Sequence, residues 1–559
     1  MMRDSGHPAW LIVATSLWIA TLGNLVLWSG LWQLSALKGA GGLAFGAALA
    51  LMIVAVLTLL ASLLSWRWTL KPVLIALLLA SAAGAHFMAA YGVVIDSTMM
   101  TNVLQTDLRE VGDLLSVRLV VTLLGLGVLP ALAVWRVPVR FAPWPRQLAR
   151  NAGLFAAAVV VLVAAALASF QPLASTFRNH HGVRYLINPL NSLYALGHAA
   201  AGPLRRGKLP LRPLGEDASL ASLAGPARPP LLVLVLGETG RSGNFGINGY
   251  ARPTTPELAR ENVASFRNVW SCGTSTAASV PCMFSHLDRD GFEGRSADYE
   301  NLLDVIQHAG MAVMWIDNQS GCKGVCDRIV SHSTAGTEDP ALCKGGECLD
   351  EVMLQGLDAR IAALPAAQRA RGVVVVLHQM GSHGPAYHKR SPQALKRFLP
   401  ECASSTLQDC SRDEVVNAYD NSIAYTDHFL AATIRWLRAQ QGHDTAMVYL
   451  ADHGESLGEN NLYLHGLPYA IAPDVQKLVP WVSWLSPGFE QRGGVTAACL
   501  QATLRDARLS HDHFFHSVLG LLHVQTRAYV PAMDVYATCS AAHLAQSGSG
   551  AVVPLAPPR

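Results

Sequence analysis

The sequence predicts a two-part chain: an N-terminal five-helix transmembrane domain followed by an α/β domain built on a mainly parallel sheet. Its length of 559 residues exceeds what one compact domain normally holds. The chain is 51% hydrophobic and only 14% charged, with a mean hydropathy of +0.28, which excludes a wholly soluble or disordered protein. Its apolar residues are also unevenly placed, in long uncharged runs at the front and short runs between helical stretches behind. The net charge of +3 rests on 42 basic and 39 acidic residues, too even a balance to attract a polyanion, so no nucleic-acid partner is expected.

Residues 1–170 are expected to form the transmembrane domain. Runs at 8–32, 41–66, 72–95, 119–135 and 152–170 are almost free of charge, each about the length a helix needs to cross hydrocarbon. The first is too long and too poor in basic residues for a signal peptide, and further spans follow at once. Arg3, Arg67, Lys71, Arg136, Arg140, Arg146 and Arg150 fall on one side, against Lys38, Arg109 and Arg118 on the other. That bias places the N-terminus in the cytoplasm, and an odd number of spans carries the rest of the chain to the periplasm. Trp10, Trp32, Trp66, Trp68, Trp135 and Trp144 stand near span ends, where indole prefers the interface.

Residues 171–229 read as a membrane-surface segment of short helices and then a linker rich in Pro, Gly and charge. All 10 cysteines lie beyond the spans: Cys272, Cys282, Cys322, Cys326, Cys343, Cys348, Cys402, Cys410, Cys499 and Cys539. An even count in an oxidising compartment reads as a disulfide framework. Near neighbours suggest 272–282, 322–326, 343–348 and 402–410, leaving 499–539, although sequence alone does not fix connectivity. The Cys322 and Cys326 pair lacks the second Cys or His pair that a structural zinc site requires.

Residues 230–540 are expected to form the catalytic domain and 541–559, small, polar and Pro-rich, a disordered tail. Apolar runs at 231–237, 311–317, 373–379 and 446–452 suit strands buried on both faces. In such a sheet, ligands gather at the carboxyl ends of the strands. Those ends deliver Glu238, then His378 and His383, then Asp452 and His453 to one rim. Glu238, Asp452 and His453 offer two oxygens and a nitrogen, a donor set that suits zinc with one position open. The string SCGTSTAASVPC at 271–282 carries hydroxyls that a metal and a helix N-terminus would activate. His511, His513 and His516 follow Ser510, which reads as a helix N-cap. The piece SGNFGINGY lacks the Lys-Ser/Thr of a nucleotide cradle, and no nucleotide is expected.

Together the five spans, the GET-R-S block, SCGTSTAASVPCMFSH, DNQSGCKGVCDR, LHQMGSHGPAYHKR and LADHGESLGENNLYLHG resemble the lipid A phosphoethanolamine transferases, which include the mobile colistin-resistance enzymes. The resemblance covers nearly the whole chain. It implies an alkaline phosphatase/sulfatase fold, a multi-pass inner-membrane location, phosphatidylethanolamine as donor and lipid A as acceptor. It implies Thr276 as nucleophile, Glu238, Thr276, Asp452 and His453 as ligands of at least one Zn2+, and His383 and His465 as catalytic histidines beside it. Ser320 and Lys323 match residues that hold phosphoethanolamine, with His378 a further substrate contact; Gln319 stands where some relatives carry Asn. Asn102, Thr106 and Glu110 recur every four residues, one face of a helix that approaches lipid in related enzymes. The alternative is a same-fold phosphoethanolamine or glycerol-phosphate transferase acting on another glycan.

Overall fold

The computed structural model describes residues 7–105, 108–206, 210–221 and 228–540. It divides into two compact units, one of Met1–Leu104 and Leu115–Leu204 and one of Gln105–Leu114 and Arg205–Arg559. The tail expected to be disordered, 541–559, lies outside the described residues.

In the first unit, α1 (Pro8–Gln33), α2 (Gly39–Leu63), α3 (Leu70–Tyr91), α4 (Val117–Arg136) and α5 (Trp144–Ala168) are each long and apolar enough to cross a membrane. Ile12, Ile19, Leu49, Ile53, Leu74 and Leu78 form part of their common core. A 3-10 turn at Leu22–Asn24 interrupts α1, and two buried asparagines satisfy the backbone there, as hydrocarbon requires. Asn24 Nδ2 donates to the Asn188 carbonyl at 2.6 Å, and Asn188 Nδ2 donates to the Gly23 and Ser81 carbonyls at 2.9 and 2.7 Å. α4 is wound as a π-helix over Leu123–Val128. A Cβ at Gly127 would lie 3.0 Å from that of Ala82, so this glycine permits close packing on α3. Short helices α6 (Phe170–Asn179) and α7 (Leu190–Arg206) follow.

The second unit is built on eight strands: β1 (Pro230–Gly237), β2 (Val263–Trp270), β3 (Ala312–Asp317), β4 (Val330–Ser333), β5 (Val373–His378), β6 (Asp444–Ala451), β7 (Leu478–Leu485) and β8 (Leu509–Ser510). Their order is β8-β2-β7-β6-β1-β5-β3-β4. Only β7 runs against the others, pairing antiparallel with both β6 and β2. Every residue of β1, β3, β5 and β6 is buried, as their uninterrupted apolar runs demand. Two helices matter for the site: α8 (Thr276–Met283) and α9 (Arg412–Ala439), the second packed on β6 and begun by a Ser411–Glu414 capping box.

The stretch expected to be a free linker is partly laid on this unit. Leu211–Arg212 pair with Asp298–Tyr299, and Ser219–Leu220 pair with Val524–Gln525. Asp217 accepts from Thr526 Oγ1 at 2.8 Å and from the Arg527 N–H at 2.9 Å. Its Pro, Gly and charge made the segment read as a linker, while its backbone forms two separate two-stranded pairs with short extended segments. The structure pairs the cysteines as Cys272–Cys282, Cys322–Cys326, Cys343–Cys348, Cys402–Cys410 and Cys499–Cys539.

Candidate active site

Parallel strands deliver their carboxyl ends to one edge, and register decides which residues meet there. Ala451 of β6 stands beside Gly237 of β1, so the next residues, Asp452 and Glu238, are neighbours. The Asp452 N–H donates to the Gly237 carbonyl at 2.8 Å. Asp452 Oδ1 accepts from the Thr239 and His453 N–H groups at 3.0 and 2.7 Å. Thr239 reaches this position with a left-handed backbone, φ 58°, and its Oγ1 donates to Glu238 Oε1 at 2.6 Å. Tyr419 of α9 fixes the turn by donating to the Thr239 carbonyl at 2.7 Å. Gly381 closes the other side: at φ +52°, a Cβ there would lie 2.7 Å from the Glu238 carbonyl oxygen.

Thr276 opens α8. The Cys272–Cys282 disulfide brackets it, joining the preceding turn to the helix. Its Oγ1 donates to Glu238 Oε2 at 3.1 Å and lies 3.5 Å from His453 Nε2. Its neighbours have ordinary structural duties, with Thr274 Oγ1 donating to the Leu467 carbonyl at 2.6 Å and Ser279 Oγ accepting from the Gly273 N–H at 2.8 Å.

The residues fit a divalent cation. Glu238, Asp452 and His453 are completely buried, yet Asp452 Oδ2 has no hydrogen-bond partner, an expensive omission for an acceptor-only oxygen. His453 Nδ1 lies 2.9 Å from the Gly454 carbonyl, which takes the ring proton there and leaves Nε2 as a lone pair. That nitrogen sits 3.4 Å from Asp452 Oδ2 and 3.5 Å from Glu238 Oε1. Burial works to lower the pKa of His453, but the charges of Asp452 and Glu238 reverse this and hold it above the ordinary value. The pocket therefore calls for positive charge. Oxygen and imidazole donors with a hydroxyl alongside suit a divalent cation such as zinc.

His465 stands with this donor group. It shares a cluster with Glu238 and His453 whose ligand atoms all lie within 4.8 Å of one another. Its Nδ1 is 3.3 Å from Glu455 Oε2. The His383 ring lies 6.0 Å from that of His465. Burial lowers both imidazoles to about 3, so both are neutral at rest.

Ser320 and Lys323 occupy a loop closed by the Cys322–Cys326 disulfide. Lys323 Nζ donates to Ser320 Oγ at 2.9 Å, and Ser320 Oγ donates to Gln319 Oε1 at 2.6 Å. They open on a cavity of about 750 Å3 that also touches Ala277 and Pro281 of α8. His378 differs from expectation: it is fully buried, with Nδ1 2.9 Å from Asp317 Oδ2. Because Asp317 Oδ1 accepts from the Gln319 and Gly321 N–H groups, each at 3.0 Å, the pair supports the loop from beneath. Asn102 lies on the helix Ser97–Gln105 and Glu110 within Leu108–Leu114. Thr106 lies outside the described residues, so the expected helix face is only partly described.

Burial pushes the Asp317 carboxyl up, but the charge and hydrogen bond of His378 hold it down at about 2. The stability it contributes is fully present above the unfolded value near pH 4 and is lost as pH falls through about 2. Asp317→Asn is expected to cost about 3 kcal/mol at pH 7, since it leaves His378 buried without its charge partner. Thermal unfolding in detergent checks this. The gap between wild type and variant should narrow as pH falls below about 4 and close through about 2, and equal stability at pH 7 would mean the pair contributes nothing.

Sequence reasoning missed the supports. Asp350, completely buried, accepts from the Met380 and Gly381 N–H groups at 2.7 and 3.1 Å and from Asn318 Nδ2 at 2.8 Å. It thereby shapes the turn that carries His383. Glu455, two residues past His453 at the same strand end, was given no role by sequence reasoning, and the structure makes it the partner of His465.

Residues 230–524 match the sulfatase family model, and residues 53–203 match the model of the phosphoethanolamine transferases EptA/EptB. The chain is 38% identical to phosphoethanolamine transferase EptA of Escherichia coli K12, over 95% of this chain and 96% of that one. It is likewise 38% identical to phosphatidylethanolamine transferase Mcr-1 of Escherichia coli, over 93% and 96%. Among solved structures it is similar to the integral membrane lipooligosaccharide phosphoethanolamine transferase A of Neisseria meningitidis. That similarity has a TM-score of 0.90 and 35% identity, and covers 95% of this chain and 98% of the other.

Proposed function

We propose, from the premise that this chain belongs to the phosphoethanolamine transferase family of EptA and Mcr-1, that it moves phosphoethanolamine from phosphatidylethanolamine to a phosphate of lipid A. The transfer runs through a covalent phosphothreonine on Thr276, at a zinc site on the periplasmic face of the inner membrane. The observation that carries this reading is Thr276 Oγ1, 3.1 Å from Glu238 Oε2 and 3.5 Å from His453 Nε2 at the start of a helix. The sequence resemblance adds the identity of donor and acceptor.

Glu238, Thr276, Asp452 and His453 would hold Zn2+, with His465 within reach. When bound, zinc supplies a Lewis acid that favours the alkoxide form of a threonine and offsets charge on phosphoryl oxygens. Thr276 Oγ attacks the phosphorus of the donor; the new O–P bond forms as the bond to diacylglycerol breaks, and the threonine proton ends on the diacylglycerol oxygen. Glu238 Oε2 is the acceptor within reach of that proton, and His383 and His465 flank the site as neutral imidazoles. A lipid A phosphate oxygen then attacks the phosphothreonine; its new O–P bond forms as the Thr276 O–P bond breaks, and the proton of the lipid A phosphate monoester ends on Thr276 Oγ, restoring the hydroxyl. Lys323 places its charge in the loop that faces α8, where it holds the anionic phosphodiester. Both lipids live in a bilayer, and the five spans confine the search to that surface. The product carries an added ammonium group and less net negative charge, which weakens attraction for cationic polymyxins such as colistin.

The purified full chain, incubated in detergent with zinc and phosphatidylethanolamine, is expected to gain the mass of one phosphoethanolamine as diacylglycerol appears. Adding lipid A should discharge the adduct and yield modified lipid A. Diacylglycerol with free phosphoethanolamine and unmodified lipid A would make the protein a hydrolase. An adduct that lipid A leaves in place would point to another glycan acceptor.

A further inference from the structure

His511 follows β8 directly, and β8 pairs in parallel with the end of β2, Ser510 opposite Trp270. That register places the His511 ring beside the first residues of the turn that leads to Thr276. The ring is buried, 1% exposed. Its Nδ1 accepts from the Cys272 N–H at 3.1 Å, and its Nε2 lies 3.0 Å from the Ala451 carbonyl. A ring nitrogen that accepts carries no proton, so the proton is on Nε2 and is donated to Ala451. Both bonds are satisfied by one neutral tautomer.

These two partners belong to the two halves of the site. Ala451 immediately precedes Asp452 and His453. Cys272 begins the turn whose fifth residue is Thr276, and its disulfide reaches the other end of α8. The same turn is tied separately to the His465 loop, by Thr274 Oγ1 to the Leu467 carbonyl at 2.6 Å and by the Gly466 N–H to the Thr274 carbonyl at 2.8 Å. The imidazole of His511 is thus a rigid spacer between the segment that carries the nucleophile and the strand end that carries Asp452 and His453.

We infer that His511 is a positioning residue for phosphoryl transfer, fixing Thr276 Oγ1 against Asp452 and His453 by bridging the Cys272 N–H and the Ala451 carbonyl. The inference rests on Thr276 as the nucleophile. His511→Phe keeps a ring and removes both hydrogen bonds, whereas His511→Gln keeps an acceptor and a donor on one planar group. The bridge runs from the Cys272 N–H to the Ala451 carbonyl and includes neither Ser320 nor Lys323, the residues assigned to the donor's phosphodiester, so loss of the spacer should slow chemistry without weakening binding.

The experiment is single-turnover formation of the phosphoethanolamine adduct on the full chain in detergent with zinc, followed by intact mass over a range of donor concentrations. The amplitude reports how much protein is folded and competent; the rate constant reports alignment. For His511→Phe the rate constant is expected to fall roughly 30-fold, the scale of a displacement of about 1 Å or less, with the half-saturating donor concentration unchanged. His511→Gln is expected to recover most of the rate. A rate constant for His511→Phe equal to wild type, with or without loss of amplitude, would overturn the inference, and so would a His511→Gln as slow as His511→Phe. If His511→Phe yields no folded protein, His511→Asn carries the same test, since it keeps the acceptor for Cys272 and leaves the Ala451 carbonyl unpaired. Failure of wild type itself to form an adduct on Thr276 would instead remove the nucleophile reading.

Discussion

Thr276→Ala is expected to form no covalent adduct and to release diacylglycerol about 10^4-fold or more slowly than wild type, as when other activated nucleophiles are deleted. The geometry makes the prediction specific. Thr276 is the residue whose hydroxyl touches both Glu238 Oε2 and the neighbourhood of His453 Nε2, while Thr274 and Ser279 spend their hydroxyls on backbone partners. Thr274→Ala and Ser279→Ala should therefore lose stability before they lose the adduct. Thr276→Ser keeps the oxygen but not the methyl that restricts χ1. Its adduct should still form, with the rate lower by roughly 10-fold because more rotamers compete with the reactive one. Intact mass after incubation with phosphatidylethanolamine reads all four variants. An adduct of undiminished yield on Thr276→Ala would place the nucleophile elsewhere.

The parts of the fold that were legible in the sequence are those with one physical solution. Uncharged runs of span length have no alternative to a membrane or a large core. Strands such as Pro230–Gly237 and Val373–His378 are buried at every position, so their apolar runs are unbroken. Half of the sheet lacked this signature. Val263–Trp270 exposes Arg267 among buried neighbours, and the edge strand Val330–Ser333 is exposed along its whole length. Leu478–Leu485 contains Pro480, which argues against a strand; the register shift between Val479 and Trp481 is where the sheet tolerates it.

The site divides along a similar line. Glu238, Asp452 and His453 were readable because they directly follow apolar runs, where the topology of a parallel sheet concentrates ligands. His383 was read from the turn after a strand, Thr276 and His465 were singled out by resemblance, and the structure brings all three to the same edge. The supports were not readable, because only the fold brings their partners beside them. His511 illustrates the difficulty. Ser510 does cap the following turn, accepting from the Asp512 N–H at 3.2 Å, and that correct reading left no reason to ask what the next histidine holds. Asp350 stands between Leu349 and Glu351 with no motif around it, and only the folded chain shows that four donors, from Asn318, Gln379, Met380 and Gly381, converge on it.

Asp452→Asn separates the cation from the scaffold. Oδ1 makes both hydrogen bonds that shape the turn, to the Thr239 and His453 N–H groups, and the unpartnered Oδ2 faces His453 Nε2. An asparagine oxygen can keep both backbone bonds, so the fold should survive with little change in melting temperature. Its amide nitrogen then stands where Oδ2 stood, presenting N–H donors and no charge to the position a cation would take. Zinc affinity is expected to fall at least about 100-fold, beyond the effect of losing an outer-shell partner, and the rate of adduct formation should fall with it. Excess zinc should restore part of the rate, and a chelator should reduce wild type to the level of the variant. Bound zinc after dialysis, competition with a coloured chelator and the single-turnover rate together make the test. If Asp452→Asn binds zinc as tightly as wild type, the orphaned oxygen is not a ligand and the donor set must be sought among Glu238, His453 and His465. If zinc affinity falls but the adduct forms at the wild-type rate without metal, the cation is structural, and activation of Thr276 must rest on Glu238 and the start of α8.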